Sequence, residues 1–377
     1  MTKNSTKPKN VFLYLGGTQF ENVGDLLINR SLLYHIANYG EILLLEQHYP
    51  ADYLKALVQD IPNVKILTAF PSRKQLFVRK WRDRQTICRL ETPGHVFDTN
   101  WMPQSNWKSK LVQFVDHFVL GIRKIRFGVT LGPFASFNEQ FYIDNYKSYR
   151  LLCVRDKPSL EWCVRHGIKN SFYIPDLAWG YPTEVMHLGG QPPKQKKNQV
   201  LLSFRGNLIG TELDMPYLQQ IIQALEYIMP LLSGCELVLV QQVDFDLSSN
   251  TYIWNHFKGR YAMRLVTETY TLDGAVSAYA EAPYVLTNRL HVFLLALKAG
   301  SFPITVTDTE RHPKLVNQLR EQQLEHLLVD VREGQEAMQG KMRFLLEHTS
   351  ALADKHKHIE AKNKKKIFEK FKKINAI

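Results

Sequence analysis

The stretch from Tyr284 to Val306, YVLTNRLHVFLLALKAGSFPITV, constrains the fold more than any other part of the chain. It reads as a strand, a tight polar turn, an apolar helix, a glycine stop and a second strand, the working unit of α/β proteins. Asn288 is suited to N-cap a helix running to Lys298 or Ala299, with Gly300 as its C-terminal stop and Pro303 just beyond. Arg289 and His291 then fall in the first helical turn, where free N–H groups and the positive end of the dipole favour an anion. A guanidinium there grips a carboxylate or phosphate through two parallel hydrogen bonds, and a histidine two residues on serves as donor, acid or base. The same spacing also suits a surface arginine and a hydrogen-bonded histidine at a helix start.

At 377 residues the chain exceeds the usual size of one core, so two domains are expected. Hydrophobic residues make up 45% and charged residues 22%, an ordinary globular balance, and no apolar run approaches the length of a membrane span. The N-terminal MTKNSTKPKNVFLYLGG has a strand-length apolar segment where a signal peptide carries a longer core, and no small-residue cleavage pattern follows. The expectation is a cytoplasmic protein. Cys88, Cys153, Cys163 and Cys235 show no C-x-x-C or zinc-like spacing, so they are expected as free buried thiols, with neither a metal site nor a disulfide framework.

The net charge is +12, and half of it sits between Ala351 and Ile377, where nine lysines face three acidic residues. Such a balance points to an anionic partner: a phosphorylated substrate, a membrane surface or nucleic acid. Ile367, Phe368, Phe371 and Ile374 form one helical stripe among these lysines. The stripe either lies on an anionic membrane or docks on the protein itself. Residues 71–90, PSRKQLFVRKWRDRQTICRL, interleave basic and aromatic side chains, as a solvated face or as a lure for an anionic donor or phospholipid headgroup.

Val11 to Leu15 is a strand that runs into Gly16-Gly17-Thr18, then Asn22-Val23-Gly24-Asp25, then a helical segment ending at Gly40. The pattern is not the G-x-G-x-x-G dinucleotide signature, so no such cofactor is expected. Asn22 and Asp25 are either caps or substrate contacts. His95, in the loop of ETPGHVFDTNW, is either exposed and inert or available to a ligand. An amphipathic stretch follows near Lys108 to Lys124. Arg155 and Asp156 lie at a strand's carboxyl end, where open α/β sheets put ligand contacts, and Asp176 follows the next strand. Arg155 and Asp156 are expected instead to pair with neighbouring groups and fix their turn.

The polar, Gly- and Pro-rich HLGGQPPKQKKNQ at residues 187–199 marks a linker. The expected division is residues 1–186 as an N-terminal α/β domain, 200–345 as a C-terminal α/β domain and 346–377 as a basic helical segment. In the second domain the strand VLLSF at residues 200–204 ends in Arg205-Gly206-Asn207, mirroring the first unit's strand and loop. Arg205 and the Arg289/His291 turn, both at strand ends, are expected to face an inter-domain cleft.

T-N-R-L-H followed by an apolar helix, glycine and strand resembles the S-x-R-x-H signature of the polysaccharide pyruvyl transferase family. N-V-G-D after the first strand, V-R-D-K-P-S, the run from Gly167 to Asp176 and Lys314 past the last strand also fall where that family has them, from about Val11 to Asp330. Thr287 stands where serine is usual, and the glycine run many members carry after an early strand is reduced to Gly94.

The resemblance implies two facing Rossmann-like α/β domains, similar to the GT-B architecture of glycosyltransferases. The N-terminal domain is then the acceptor side and the C-terminal domain the donor side. It further implies transfer of the enolpyruvyl group of phosphoenolpyruvate to two hydroxyls of one sugar, giving a pyruvate ketal and phosphate, with phosphoenolpyruvate as co-substrate and no cofactor. By it Arg289, Leu290 and His291 match the donor-binding motif, flanked by Asn288, and Arg205 is a second arginine for the donor. His291 donates to the phosphate or acts as acid, His95 is the candidate base, and Asn22, Asp25, Asp156 and Asp176 are placed on the acceptor or cleft side.

The expected partners are phosphoenolpyruvate and a sugar acceptor, free or lipid-linked, with the basic tail as a route to the inner face of the membrane. A nucleotide-sugar-dependent glycosyltransferase of similar build is the nearest competing reading. A non-catalytic nucleic-acid or membrane binder is a remote one, and no nucleic-acid motif is present.

Overall fold

The computed structural model describes residues 9–97, 114–182, 196–207 and 212–377. They form two compact units, each built on a parallel sheet. The first comprises residues 1–20, 25–181 and 363–377, and the second residues 21–24 and 182–362.

The first unit holds β1 (Asn10–Leu15), β2 (Gly40–Leu45), β3 (Val64–Leu67), β4 (Thr86–Glu91), β5 (Gly94–Val96), β6 (Arg123–Leu131), β7 (Tyr149–Val154) and β8 (Ser171–Tyr173). Their order is β3-β2-β1-β4-β6-β7-β8, with β5 pairing β6, and every pairing is parallel. Val11, Phe12, Ile42, Leu43 and Leu44 are fully buried, as expected of strands whose two faces are both covered.

The second unit holds β9 (Gln199–Ser203), β10 (Glu236–Leu239), β11 (Met263–Leu265), β12 (Tyr284–Thr287), β13 (Phe302–Thr307) and β14 (Leu328–Asp330), in the order β11-β10-β9-β12-β13-β14, again all parallel. The helix Leu290–Lys298 crosses from β12 to β13. From Val292 onward every one of its residues is buried, because it is apolar on all sides. Even Lys298 is covered, its charge met by Glu360 at 2.6 Å. The helix stops where Gly300 takes a left-handed φ of 83°. There the Gly300 amide donates to the Leu297 carbonyl and the Ser301 amide to that of Ala296, a Schellman end.

The division differs from the expected one in two places. Residues 21–24 belong to the second unit, and residues 363–377 return to the first. Residues 187–195 of the expected linker lie outside the described residues. Lys196 and Lys197 are fixed, the former donating to the carbonyls of Ala282 and Gly300 and the latter pairing with Glu281. Of the amphipathic stretch near Lys108 to Lys124, residues 108–113 are also outside the description.

Of the two readings of the basic tail, docking on the protein is the one its apolar stripe follows. Residues Thr349–Phe371 form one helix, and Ile367, Phe371 and Ile374 are buried to within 1%. Phe371 stacks on Phe127 at 4.3 Å and on His35 at 4.8 Å, and Lys373 lies over the Phe172 ring at 4.2 Å. Of the expected stripe only Phe368 is exposed. Three of the stripe's four residues are therefore engaged in the protein's own core. No helix among the described residues is long and apolar enough to cross one.

Candidate active site

The carboxyl ends of β9 and β12 are tied together by one side chain. Asn288, 2% exposed, accepts from the Arg205 amide at 2.8 Å, and its amide nitrogen donates to the Arg205 carbonyl and to the Tyr217 hydroxyl. It is not the N-cap that its position in the sequence suggests. Arg289 occupies the cap position with extended backbone, and the Thr287 hydroxyl accepts from its amide at 3.0 Å while donating to the Ser203 carbonyl. Asn288 thus fixes Arg205 relative to Arg289, a positioning role in place of a capping one.

Arg289 is 8% exposed. Its Nη2 is paired with Asp246, whose side chain is fully buried, and its guanidinium lies over the Phe245 ring at 5.3 Å. Its Nε has no hydrogen-bond partner among the described residues. Burial raises the Asp246 carboxyl's pKa, and Arg289 opposes that rise. Arg205 donates through Nε to Asn207, and burial together with the charge of Arg289 pulls its pKa down to about 10. Burial and Arg289 disfavour the charge on Arg205 while Asp246 supports it, a setting that an incoming anion relieves.

The segment 21–24 closes onto this cluster within the second unit. Gln242 donates to Asn22 at 2.6 Å, its backbone carbonyl accepts from the Val23 amide, and Asn22 also accepts from the Gly24 amide at 2.9 Å. Gly24 lies so close to His291 that an added Cβ would be 2.5 Å from Nδ1. The N-V-G part of the early motif is thereby packed against the histidine of the R-L-H turn. Leu290 is the half-buried first residue of that helix, and Lys314 is exposed in the first turn of Pro313–Glu321.

The structure brings together Asn22, Arg205, Asn288, Arg289 and His291 in the second unit. His95, Asp25, Asp156 and Asp176 lie in the first. His95 is on β5, with Nε2 at 2.7 Å from the Gly132 carbonyl. Asp25 accepts from Thr18 at 2.7 Å in the first turn of the helix Val23–Ile36.

Asp156 and Asp176 each hold local structure. Asp156 N-caps the helix Lys157–Arg165 through the Ser159 amide and accepts from Thr130, and it is 6% exposed. Asp176 is fully buried, pairs with Arg155 at 2.6 Å and caps the turn Leu177–Gly180. Both carboxylates are spent on local structure.

Sequence reasoning missed Asp246, Gln242, Tyr217 and His312. His312 precedes Pro313 at the start of the helix Pro313–Glu321, and its ring lies 5.0 Å from that of Tyr217. The usable signal was the strand-then-turn-then-helix pattern of TVTDTERHPKL, which repeats the pattern of the R-L-H turn one strand further on. Asp246 and Gln242 carry no such signal.

A cavity of about 1280 Å³ lies elsewhere, in the first unit, lined by Arg73, Lys80, Arg89, Arg123 and Phe118 among others. None of the second-unit cluster lines it, and size alone does not make it the reactive site. Part of the basic run beside it is already neutralised, Arg79 by Glu41 and Arg73 by Asp116.

Residues 22–300 match the model of a family described as polysaccharide pyruvyl transferase. No curated protein matches the chain in sequence. Among solved structures the chain is similar to UDP-GlcNAc 2-epimerase from Neisseria meningitidis bound to UDP-GlcNAc, at 10% identity and a TM-score of 0.58, over 97% of this chain and 100% of that one. It is similar to a glycosyltransferase from Rickettsia africae at 8% identity and a TM-score of 0.60, over 97% and 98%. It also resembles an O-GlcNAc transferase mutant from Thermobaculum terrenum at 13% identity and a TM-score of 0.51, over 98% of this chain and 66% of that one. Identities this low establish a shared fold, not a shared ligand.

Proposed function

The chain belongs to the polysaccharide pyruvyl transferase family, and we propose that it moves the enolpyruvyl group of phosphoenolpyruvate onto two hydroxyls of one sugar, in a polysaccharide or its lipid-linked precursor. The products are a cyclic pyruvate ketal and free phosphate. The observation that carries this reading is the pair of arginines at the carboxyl ends of β9 and β12. Arg205 is held below its ordinary pKa by burial and by Arg289, and Arg289 keeps an unpartnered buried Nε beside a helix start. Phosphoenolpyruvate brings a carboxylate and a phosphate close together, and two guanidiniums with a helix N-terminus suit that pair of charges.

In this reading Arg289 and Arg205 hold the donor's anionic groups, with Leu290 and Asn288 framing them. His291, steadied by Gly24, donates to the phosphate as it leaves. Protonation of the donor's methylene carbon gives a cationic centre that a sugar hydroxyl attacks, and a second hydroxyl then closes the ketal as phosphate departs. His95 is the proposed base for the acceptor hydroxyl. Its Nε2 donates to the Gly132 carbonyl, which puts the ring's lone pair on Nδ1.

Phosphate release from phosphoenolpyruvate tests this reading, measured with galactose-, glucose- and N-acetylmannosamine-containing acceptors in wild type and Arg289→Ala. The expected outcome is release that depends on one acceptor and on Arg289, with a product that gains ketal-bound pyruvate by mass. Release that survives in Arg289→Ala refutes the donor site.

A further inference from the structure

The proposed chemistry needs a proton on the methylene carbon, and the second unit contains a histidine that no role above uses. His312 sits where the turn after β13 becomes the helix Pro313–Glu321. Its amide donates to the Asp308 carbonyl and its own carbonyl starts the helix by accepting from Val316. Its ring lies against Tyr217, whose hydroxyl accepts from Asn288 at 2.8 Å and meets Thr307 at 3.1 Å. The link from Asn288 through Tyr217 to His312 ties this histidine to the same strand ends that carry Arg205 and Arg289. Its Nε2 is buried and has no hydrogen-bond partner among the described residues, as is true of Arg289 Nε. Two orphaned nitrogens on neighbouring strand ends mark a place that a ligand completes.

The groups that act on this ring come from each neighbouring element. They are Arg205 from the loop after β9, Tyr217 from the helix Met215–Ile228, Arg289 from the start of Leu290–Lys298, and Asp308 and Arg311 from its own turn. Lys314 follows two residues on, and Arg311 is partly offset by its pairing with Asp214. Burial and the three arginines hold His312 neutral, its pKa down to about 4, against only Asp308. A ligand bearing a carboxylate and a phosphate reverses the sign of that surrounding charge.

We propose that His312 is a further catalytic residue of this site, the group that gains a proton when the anionic donor binds and transfers it to the donor's methylene carbon. The proposal rests on the phosphoenolpyruvate reading above. In the step, the N–H bond of the imidazolium breaks, the enol π pair forms the new C–H bond, and C2 becomes the cationic centre. The first sugar hydroxyl adds there and the second displaces phosphate. Of the two hydroxyl protons released, one replaces the proton His312 gave and the other leaves on phosphate. A histidine held neutral in this way also keeps the proton away until a donor binds.

Calorimetric titration of phosphoenolpyruvate into the full chain at pH 7, in buffers of different ionisation enthalpy, counts the protons taken up per donor bound. Wild type, His312→Gln, His312→Asn and Arg289→Ala are compared. The expected result is uptake of about half a proton or more per site, lost in both His312 variants while donor affinity stays within roughly threefold. Phosphate release with any productive acceptor then falls on the order of 100-fold. Uptake that is absent in wild type, or unchanged in whichever His312 variant folds, overturns the role of His312 and leaves the donor reading standing. Absence of saturable donor binding in wild type, or binding that Arg289→Ala leaves intact, overturns the donor reading and this inference with it. The uptake decides the point whether or not an acceptor is in hand.

Discussion

Gly24 and His291 stand in contact although 267 positions separate them in the sequence, and their closeness leaves no room for a side chain. Gly24→Ala places a Cβ 2.5 Å from His291 Nδ1 and 2.7 Å from Gln242 Nε2, so the histidine must move. The expected outcome is a fall in phosphate release of about 100-fold, the scale of an ångström's misplacement of a reacting group. The melting temperature should change little, because the glycine sits at a helix start. Unchanged turnover in this variant would remove His291 from the chemistry.

Arg289 and His291 were legible in the sequence because a polar turn between an apolar strand and an apolar helix announces a strand end. Asp246, which holds Arg289, was not. Its pairing spans 43 residues, and nothing in the local sequence of either partner shows it. Asn288 was misread for a related reason. Its residue type suits a cap, and only tertiary contact with Arg205 and Tyr217 reveals that its side chain is already engaged.

At the scale of elements, the strand-helix-strand run at 284–306 folds as its periodicity dictates, because local pattern and burial agree. The C-terminal helix does not declare itself in that way. Its composition suits a membrane surface or a core equally, and the choice depends on partners far back in the chain, Phe127 and His35. The buried stripe makes the end of this helix, from residue 363 onward, part of the first unit's core. Deletion of residues 360–377 should therefore abolish cooperative unfolding of the first unit rather than release the protein from vesicles. Phe371→Ala alone should cost about 3–5 kcal/mol in denaturant unfolding, the usual range for removing a fully buried aromatic ring. A truncated protein that keeps its melting temperature would return the tail to the surface.

At the scale of the whole molecule, four histidines among the described residues are held below their ordinary pKa chiefly by burial. They are His35, His312 and His356, each down to about 4, and His326. Burial keeps His35 neutral even though its Nε2 donates to the Gly180 carbonyl at 2.9 Å, a contact that works against the shift, while His326 and His356 face one another at 3.3 Å. Between pH 6.5 and 4 the unfolded chain binds protons that the folded chain refuses, so stability is lost as pH falls through that window. The loss is roughly 1 kcal/mol at pH 5.5 for each of the three held near 4. The melting temperature should fall from pH 7 to pH 5, and His35→Gln should flatten the profile.

Two α/β domains were legible from the polar run at 187–199 and the repeated strand-and-loop openings. The exchange of residues 21–24 and 363–377 between units was not, because each short piece keeps the residue types of its neighbours while packing elsewhere.

The central claim is that the second unit's arginine pair takes phosphoenolpyruvate. Titration of phosphoenolpyruvate and of UDP-GlcNAc, separately, into wild type and Arg289→Ala tests it most directly. The account predicts saturable binding of phosphoenolpyruvate that weakens by about 10- to 100-fold in Arg289→Ala, the cost of a lost charge-assisted contact, and no saturable binding of UDP-GlcNAc. Saturable, Arg289-dependent binding of UDP-GlcNAc without binding of phosphoenolpyruvate would contradict it.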